Sequence, residues 1–221
     1  MRNAAQKLDT GTQILEVAEE LFSERGFSAV SLREIARQAG VVVSNVTYHH
    51  GDKIGVLAAI YDRHTRPMNA RRLELLGEAT RMSDPSDRLT AVLRAYLLPA
   101  FSSSSDLSGG GRRFTRMRAL LSAEGDPAAQ KIIAGAFDDT SGAFIDAIAQ
   151  CLPGAPRVAI IWRAHFLLGA LYYTLINPER IHRLSGGAIA AEDSEAAVAE
   201  LVAATHASLW ALQRATADAD E

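Results

Sequence analysis

The stretch SLREIARQAGVVVSNVTYHH, from Ser31 to His50, constrains the fold more than any other part of the chain. Ser31 with Glu34 three residues on forms a capping box. It opens a short helix whose Ile35, Ala36 and Ala39 make one apolar stripe. Gly40 ends that helix, because glycine takes the left-handed turn conformation without steric cost. Val41 to His49 then forms a third short helix, since Gly51-Asp52-Lys53 interrupts the pattern straight afterwards. Two short helices joined by the tight turn Gln38-Ala39-Gly40 have the layout of a helix-turn-helix. Leu32, Ile35, Ala36, Val41 and Val46 supply its inner face, while Val43, Ser44, Thr47 and Tyr48 point outward. The DNA major groove admits one helix, and small or hydroxyl-bearing side chains on that outer face approach bases and phosphates closely.

The rest of the chain reads as helix. Ile14, Val17, Ala18, Leu21 and Phe22 recur at helical spacing before a stop at Gly26, and Thr10 with Gln13 is expected to cap that first helix. A longer run extends from Asp52 to about Gly77, with Pro67 expected to kink it or end it early. Further helices are expected at 84–101, 112–123, 127–152, 156–176 and 192–214. Gly125-Asp126-Pro127, Pro153-Gly154 and Gly186-Gly187 separate the later ones, and Ser102 to Gly111 is the clearest loop. No strand alternation longer than four residues is found, so the fold class is all-α.

Several functions are disfavoured at this level. The net charge of −3 does not announce a nucleic-acid binder, although a whole-chain charge hides local basic patches. The single Cys151 excludes an internal disulfide and fits a buried thiol in a reduced, cytoplasmic setting. Met1 to Thr10 has no apolar core of a secretory signal. Val158 to Ile176 is long and apolar, but Arg163 and His165 within it favour a buried or dimer-interface helix over a membrane span. His49 and His50 project about 100° apart on a helix and have no ligand partner at metal spacing, so neither metal nor cofactor is expected. Gly109-Gly110-Gly111-Arg112 follows no strand and reads as a loop rather than a phosphate cradle. Arg112, Arg113, Arg116 and Arg118 crowd one helix, where they face solvent, meet acidic neighbours or bind a carboxylate in the pocket, the solvated face being favoured. No Gly-x-Ser-x-Gly, His-Glu-x-x-His or Walker loop is present, and the chain is not read as an enzyme.

Residues 12–60 resemble a known family. Phe22-Ser23-Glu24-Arg25-Gly26-Phe27, Ser31-Leu32-Arg33-Glu34-Ile35-Ala36, Ala39-Gly40-Val41 and Tyr48-His49 with Gly51 and Lys53 look like the N-terminal domain of TetR/AcrR regulators. The resemblance implies base-facing positions at Arg33, Val43, Ser44 and Thr47, and phosphate-holding roles for Tyr48, His49 and Lys53. His50 stands where the family usually has Phe, and Val42 where it usually has a capping Ser or Thr. The remainder is similar to the ligand-binding part of these regulators, in particular the subgroup with a PsrA-like C-terminal domain, through Gly111 to Arg116 and Arg163 to Ile181.

The implied organisation is a DNA-binding domain at 8–55 and a ligand-binding and dimerisation domain at 56–221. A ligand-responsive regulator is expected, most simply a repressor released from a double-stranded, pseudo-palindromic operator by a small, largely apolar effector of fatty-acyl or similar type. Phe114, Met117, Arg118, Phe137, Trp162, His165 and Phe166 are the candidate effector contacts, in a cavity between the helices at 84–101, 112–123, 127–152 and 156–176. A homodimer is expected to pair along Val158-Ile161-His165-Leu168-Tyr172 and Ala197-Leu201-Ala204-Ala207-Leu209. The rival reading is a helical dimerisation or ligand-binding module that does not touch DNA.

Overall fold

The computed structural model describes residues 9–101, 111–190 and 193–217. Among them are ten helices and no strand: α1 Thr10–Arg25, α2 Leu32–Gln38, α3 Val43–His50, α4 Lys53–Ala79, α5 Pro85–Phe101, α6 Gly111–Glu124, α7 Pro127–Cys151, α8 Arg157–Ile176, α9 Pro178–Leu184 and α10 Ser194–Ala217. Of the expected loop from Ser102 to Gly111, residues 102–110 lie outside the described residues, as does the side chain of Arg112, while Gly111 instead opens α6.

Local chemistry sets the helix ends, with some differences from expectation. Asp9, not Thr10, caps α1: its carboxylate accepts the N–H groups of Gly11 and Thr12. The Thr12 hydroxyl also donates to Asp9 at 2.7 Å, and chiefly for that reason the Asp9 carboxyl lies below its ordinary range. Gln13 is thereby free to donate to the Ala39 carbonyl, tying α1 to the turn after α2. Ser31 Oγ accepts the Glu34 N–H at 3.3 Å as expected, but the Glu34 carboxylate turns to Arg25 instead of completing the box.

Pro67 neither ends nor interrupts α4, which runs through it for 27 residues. A proline inside a helix forfeits one backbone bond and crowds the preceding turn. Here the neighbouring Thr65, Met68 and Arg72 are buried, and α1, α5 and α7 pack along the helix, so tertiary packing holds it continuous. The short α9 is an addition that periodicity does not signal: it begins at Asn177-Pro178 and buries no residue.

Two apolar clusters share α4. One joins α1, α2 and α3 to Leu57, Ile60, Tyr61 and Met68 of α4, to Phe114, Met117 and Leu121 of α6, and to Phe137 of α7. The other joins Leu76 and Ala79 of α4 to α5, the end of α7, α8 and α10. The division between residues 55 and 56 therefore falls inside α4, and the first cluster packs continuously across it.

Candidate nucleic-acid interface and the core behind it

The exposed face of α3 follows from how the helix is held. Val46 is fully buried and anchors the helix against Ile35 and Ala36 of α2. His50, at the end of α3, sets a ring nitrogen 3.1 Å from the Gly11 carbonyl oxygen. A hydrogen bond from histidine to α1 thus does the anchoring that an apolar ring would otherwise do. Val42 precedes α3 with no side-chain cap, so its first N–H groups stay open, as the missing Ser or Thr implies.

Val43, Ser44, Thr47 and His49 are all exposed, and Tyr48 stands 86% exposed. Arg33 is exposed on α2. Thr47 Oγ1 donates to the Val43 carbonyl at 3.2 Å, which leaves its lone pairs outward. Six of the seven residues expected at DNA therefore share an open surface.

The seventh, Lys53, is engaged. Its ammonium donates to the carbonyl oxygens of Phe27 and Val30, at 2.9 and 3.0 Å, and lies 4.2 Å from the centroid of the Phe27 ring. An ammonium carries three donors, so two fasten α4 to the loop after α1 and the third is not used by these bonds.

A second clamp on that loop comes from the far end of α6. The Glu124 carboxylate accepts the backbone N–H groups of Phe27 and Ser28 at 2.7 and 2.8 Å and the Ser28 hydroxyl at 2.6 Å. Gly26 permits this approach. Its φ is +83°, and a Cβ there would collide with Glu124 Oε1. A third tie is buried: His64 Nε2 of α4 lies 2.7 Å from Glu19 Oε2 of α1, and the His64 ring stacks on Phe114 with centroids 4.6 Å apart.

The residues expected at an effector separate into two groups. Phe114, Met117, Arg118 and Phe137 are buried together beside α4. Trp162, His165 and Phe166 are exposed on α8 and touch one another instead. A cleft of about 510 Å³ lies between α8, α9 and α10, lined in part by Phe166, Leu167, Leu175, Ile181 and Leu201. None of the four buried residues lines it, so this cleft is not the cavity expected among α5 to α8.

Of the stripes expected at a dimer, Val158, Ile161 and His165 of α8 and Ala204 and Ala207 of α10 are exposed. Leu168 and Tyr172 are half-buried and Leu209 is fully buried, each facing this chain's own core. Val158, Ile161, Trp162, Phe166 and Tyr173 face out. Ile160, Leu167, Leu171 and Leu175 are the buried residues of α8, so the helix buries one face and leaves its other apolar side chains half-buried or exposed.

Residues 14–60 match the family described as bacterial regulatory proteins, tetR family, and residues 94–208 match the tetracyclin repressor-like C-terminal domain. The chain belongs to the TetR family. Regulators of the TetR family bind DNA operators and small-molecule effectors and form dimers, and the family is one of transcriptional regulators rather than enzymes. Over 96 residues the chain is 35% identical to the HTH-type transcriptional regulator AcrR of Shigella flexneri, covering 43% of this chain and 42% of that one. It is 33% identical over 85 residues to the HTH-type transcriptional repressor BepR of Brucella suis, covering 38% and 39%. The chain thus spans about two fifths of the length of these curated relatives. A TetR-family regulator from Bordetella parapertussis superposes with a TM-score of 0.62 at 19% identity, covering 87% of this chain and 94% of that one, a likeness of fold.

Arg72, Tyr61, Glu19, His64 and Glu124 join the expected residues as parts of this arrangement. Glu124 leaves one trace in sequence: an acidic residue ending a helix opposes the helix dipole and calls for an outside donor.

Proposed function

We propose that this TetR-family chain is a cytoplasmic, dimeric repressor that grips a pseudo-palindromic operator through α3 and is released by a small, largely apolar effector. The observation that carries the reading is the pair of clamps on Phe27 to Val30. Lys53 opens α4, Glu124 closes α6, and both hold the loop that positions the helix-turn-helix. Of the proposed effector residues, Phe114, Met117 and Arg118 belong to α6 and Phe137 of α7 packs on Arg118, all in the cluster shared with α4. An effector that binds one relative setting of α4 and α6 more tightly than another shifts α3 and weakens DNA binding, as linkage requires.

The dimer pairs through the outer face of α8 with α10. Val158, Trp162, Phe166 and Tyr173 expose a contiguous apolar face, and α10 offers the exposed small residues Ala203, Ala204 and Ala207 for close approach. Trp162, His165 and Phe166 then serve the interface or its adjoining cleft rather than the buried site.

Fluorescence anisotropy of a selected operator tests the reading, with hydrophobic carboxylates, alcohols and esters added in turn. Binding by the parent, loss in Tyr48→Ala and release by at least one compound are expected. Absence of any operator binding would favour the rival module that does not touch DNA.

A further inference from the structure

Arg72 of α4 is fully buried, and the fold gives its guanidinium a single hydrogen bond, from Nε to the Tyr96 carbonyl at 3.0 Å. Both of its Nη atoms are buried without a partner. Arg118 of α6 is 3% exposed, and its Nε is likewise unpartnered. Among the described residues no carboxylate forms an ion pair with either arginine; the ion pairs formed there are on Arg25, Arg63, His64, Arg66, Arg71, Arg94 and Arg157.

Aromatic rings surround the two charges. The Arg72 Cζ lies 4.1 Å from the Tyr96 ring centroid, and the Arg118 Cζ lies 3.7 Å from that of Phe137 and 5.2 Å from that of Tyr172. Ring faces attract cations but repay only part of the cost of removing a charge from water. Arginine cannot shed its proton to escape that cost. The Tyr61 hydroxyl is buried and unpartnered as well. Burial pushes the hydroxyls of Tyr61 and Tyr172 above the ordinary tyrosine range, against the pull of Arg118, so both remain protonated donors. Among the described residues the Arg72 and Arg118 guanidiniums and the Tyr61 hydroxyl keep donors without a partner, with no acid paired to them, and an anion is what would use them.

We propose that Arg72 and Arg118, with the hydroxyls of Tyr61 and Tyr172, form a buried site for the acidic headgroup of the effector, a carboxylate or phosphate carried on an apolar body. The proposal rests on the reading that this core binds an effector, and it adds the headgroup's charge and its partners. A guanidinium presents parallel N–H donors that match the paired oxygens of either group. Phe114 and Phe137 supply the apolar walls. Such an anion bridges α4 to α6, the two helices whose ends clamp Phe27 to Val30.

Thermal melting of the full chain with octanoate, octyl phosphate and octanol at equal concentrations tests the site, in the parent and in Arg72→Met and Arg118→Met. Expected is a rise in the parent's melting temperature with at least one of the two anions but not with octanol. The larger rise identifies the headgroup. Each methionine variant should weaken the apparent affinity for that anion at least tenfold. Circular dichroism checks folding, and if a methionine variant does not fold, Arg118→Lys replaces it, keeping the charge but losing the planar fork. The proposal is overturned if octanol stabilises as well as the anions, if neither anion shifts the parent, or if the variants respond as the parent does. Operator release read on the same samples separates the two claims. Release by octanol alone leaves an effector-responsive repressor standing without an anion site.

Discussion

The Glu124 carboxylate accepts the Phe27 backbone N–H at 2.7 Å across 97 positions of sequence. The last residue of α6 is thus a structural part of the loop that leads into the helix-turn-helix. Glu124 thereby ties α6 to this loop directly rather than through α4. Lys53 holds the same loop from α4, so the two helices act on one segment.

Glu124→Ala is expected to lower stability by about 1–3 kcal/mol, the range for losing hydrogen bonds to a charged group, and toward the low end because part of the cluster is exposed. Amide hydrogen exchange should speed up at Phe27 and Ser28 in particular. Unchanged protection there would mean that the clamp carries no energy.

Lys53→Met keeps the apolar stem but loses both carbonyl bonds and the charge over Phe27. Two effects are expected. Urea unfolding should report a loss of about 1–3 kcal/mol. DNA affinity should fall for all sequences alike, and the log-log salt dependence should flatten by about 0.9, one phosphate's worth. A stability loss with an unchanged salt slope would assign Lys53 to the fold alone.

Glu19→Ala leaves His64 buried without its carboxylate partner, since both side chains are at most 6% exposed. A loss of about 1–3 kcal/mol is expected, the cost of orphaning a buried polar group. Chemical denaturation of the two chains measures it, and a difference below a few tenths would show that water reaches the pair.

Trp162→Asp and Phe166→Asp place a charge on the outer face of α8 while leaving this chain's own core intact. Sedimentation should show the dimer dissociating to monomer, with operator affinity falling in step because two half-sites are no longer bound together. A dimer that persists in both variants would move the interface to another face.

Legibility in the sequence follows the range of the interactions. The first three helices, up to residue 50, are readable because their limits are local: glycine stops at Gly26, Gly40 and Gly51, the Ser31 cap and the buried Val46. The outward face of α3 followed from the same register. Continuity of α4 through Pro67 was not readable, since α1, α5 and α7 supply what the proline removes. Of the α8 stripe, Val158, Ile161 and His165 are exposed as its register implies, but Leu168 and Tyr172 turn inward, because the helix is apolar on most sides and its sequence does not single out one face. Arg118 was expected near an effector, but Arg72 was not. Their meeting depends on how α4 and α6 cross, which no local pattern encodes.

Selection of double-stranded DNA from a random pool, by the parent and by Thr47→Ala, tests the central claim most directly. Thr47 lies on the exposed face of α3 and packs against nothing but its own helix turn, so its loss should spare the fold. The parent should enrich a pseudo-palindrome with half-sites one or two helical turns apart. The variant should change or relax preference at one position in each half-site, by about 1–3 kcal/mol per lost base contact. An unenriched parent pool, or an identical motif from both proteins, would contradict the assignment of α3 as the reading helix.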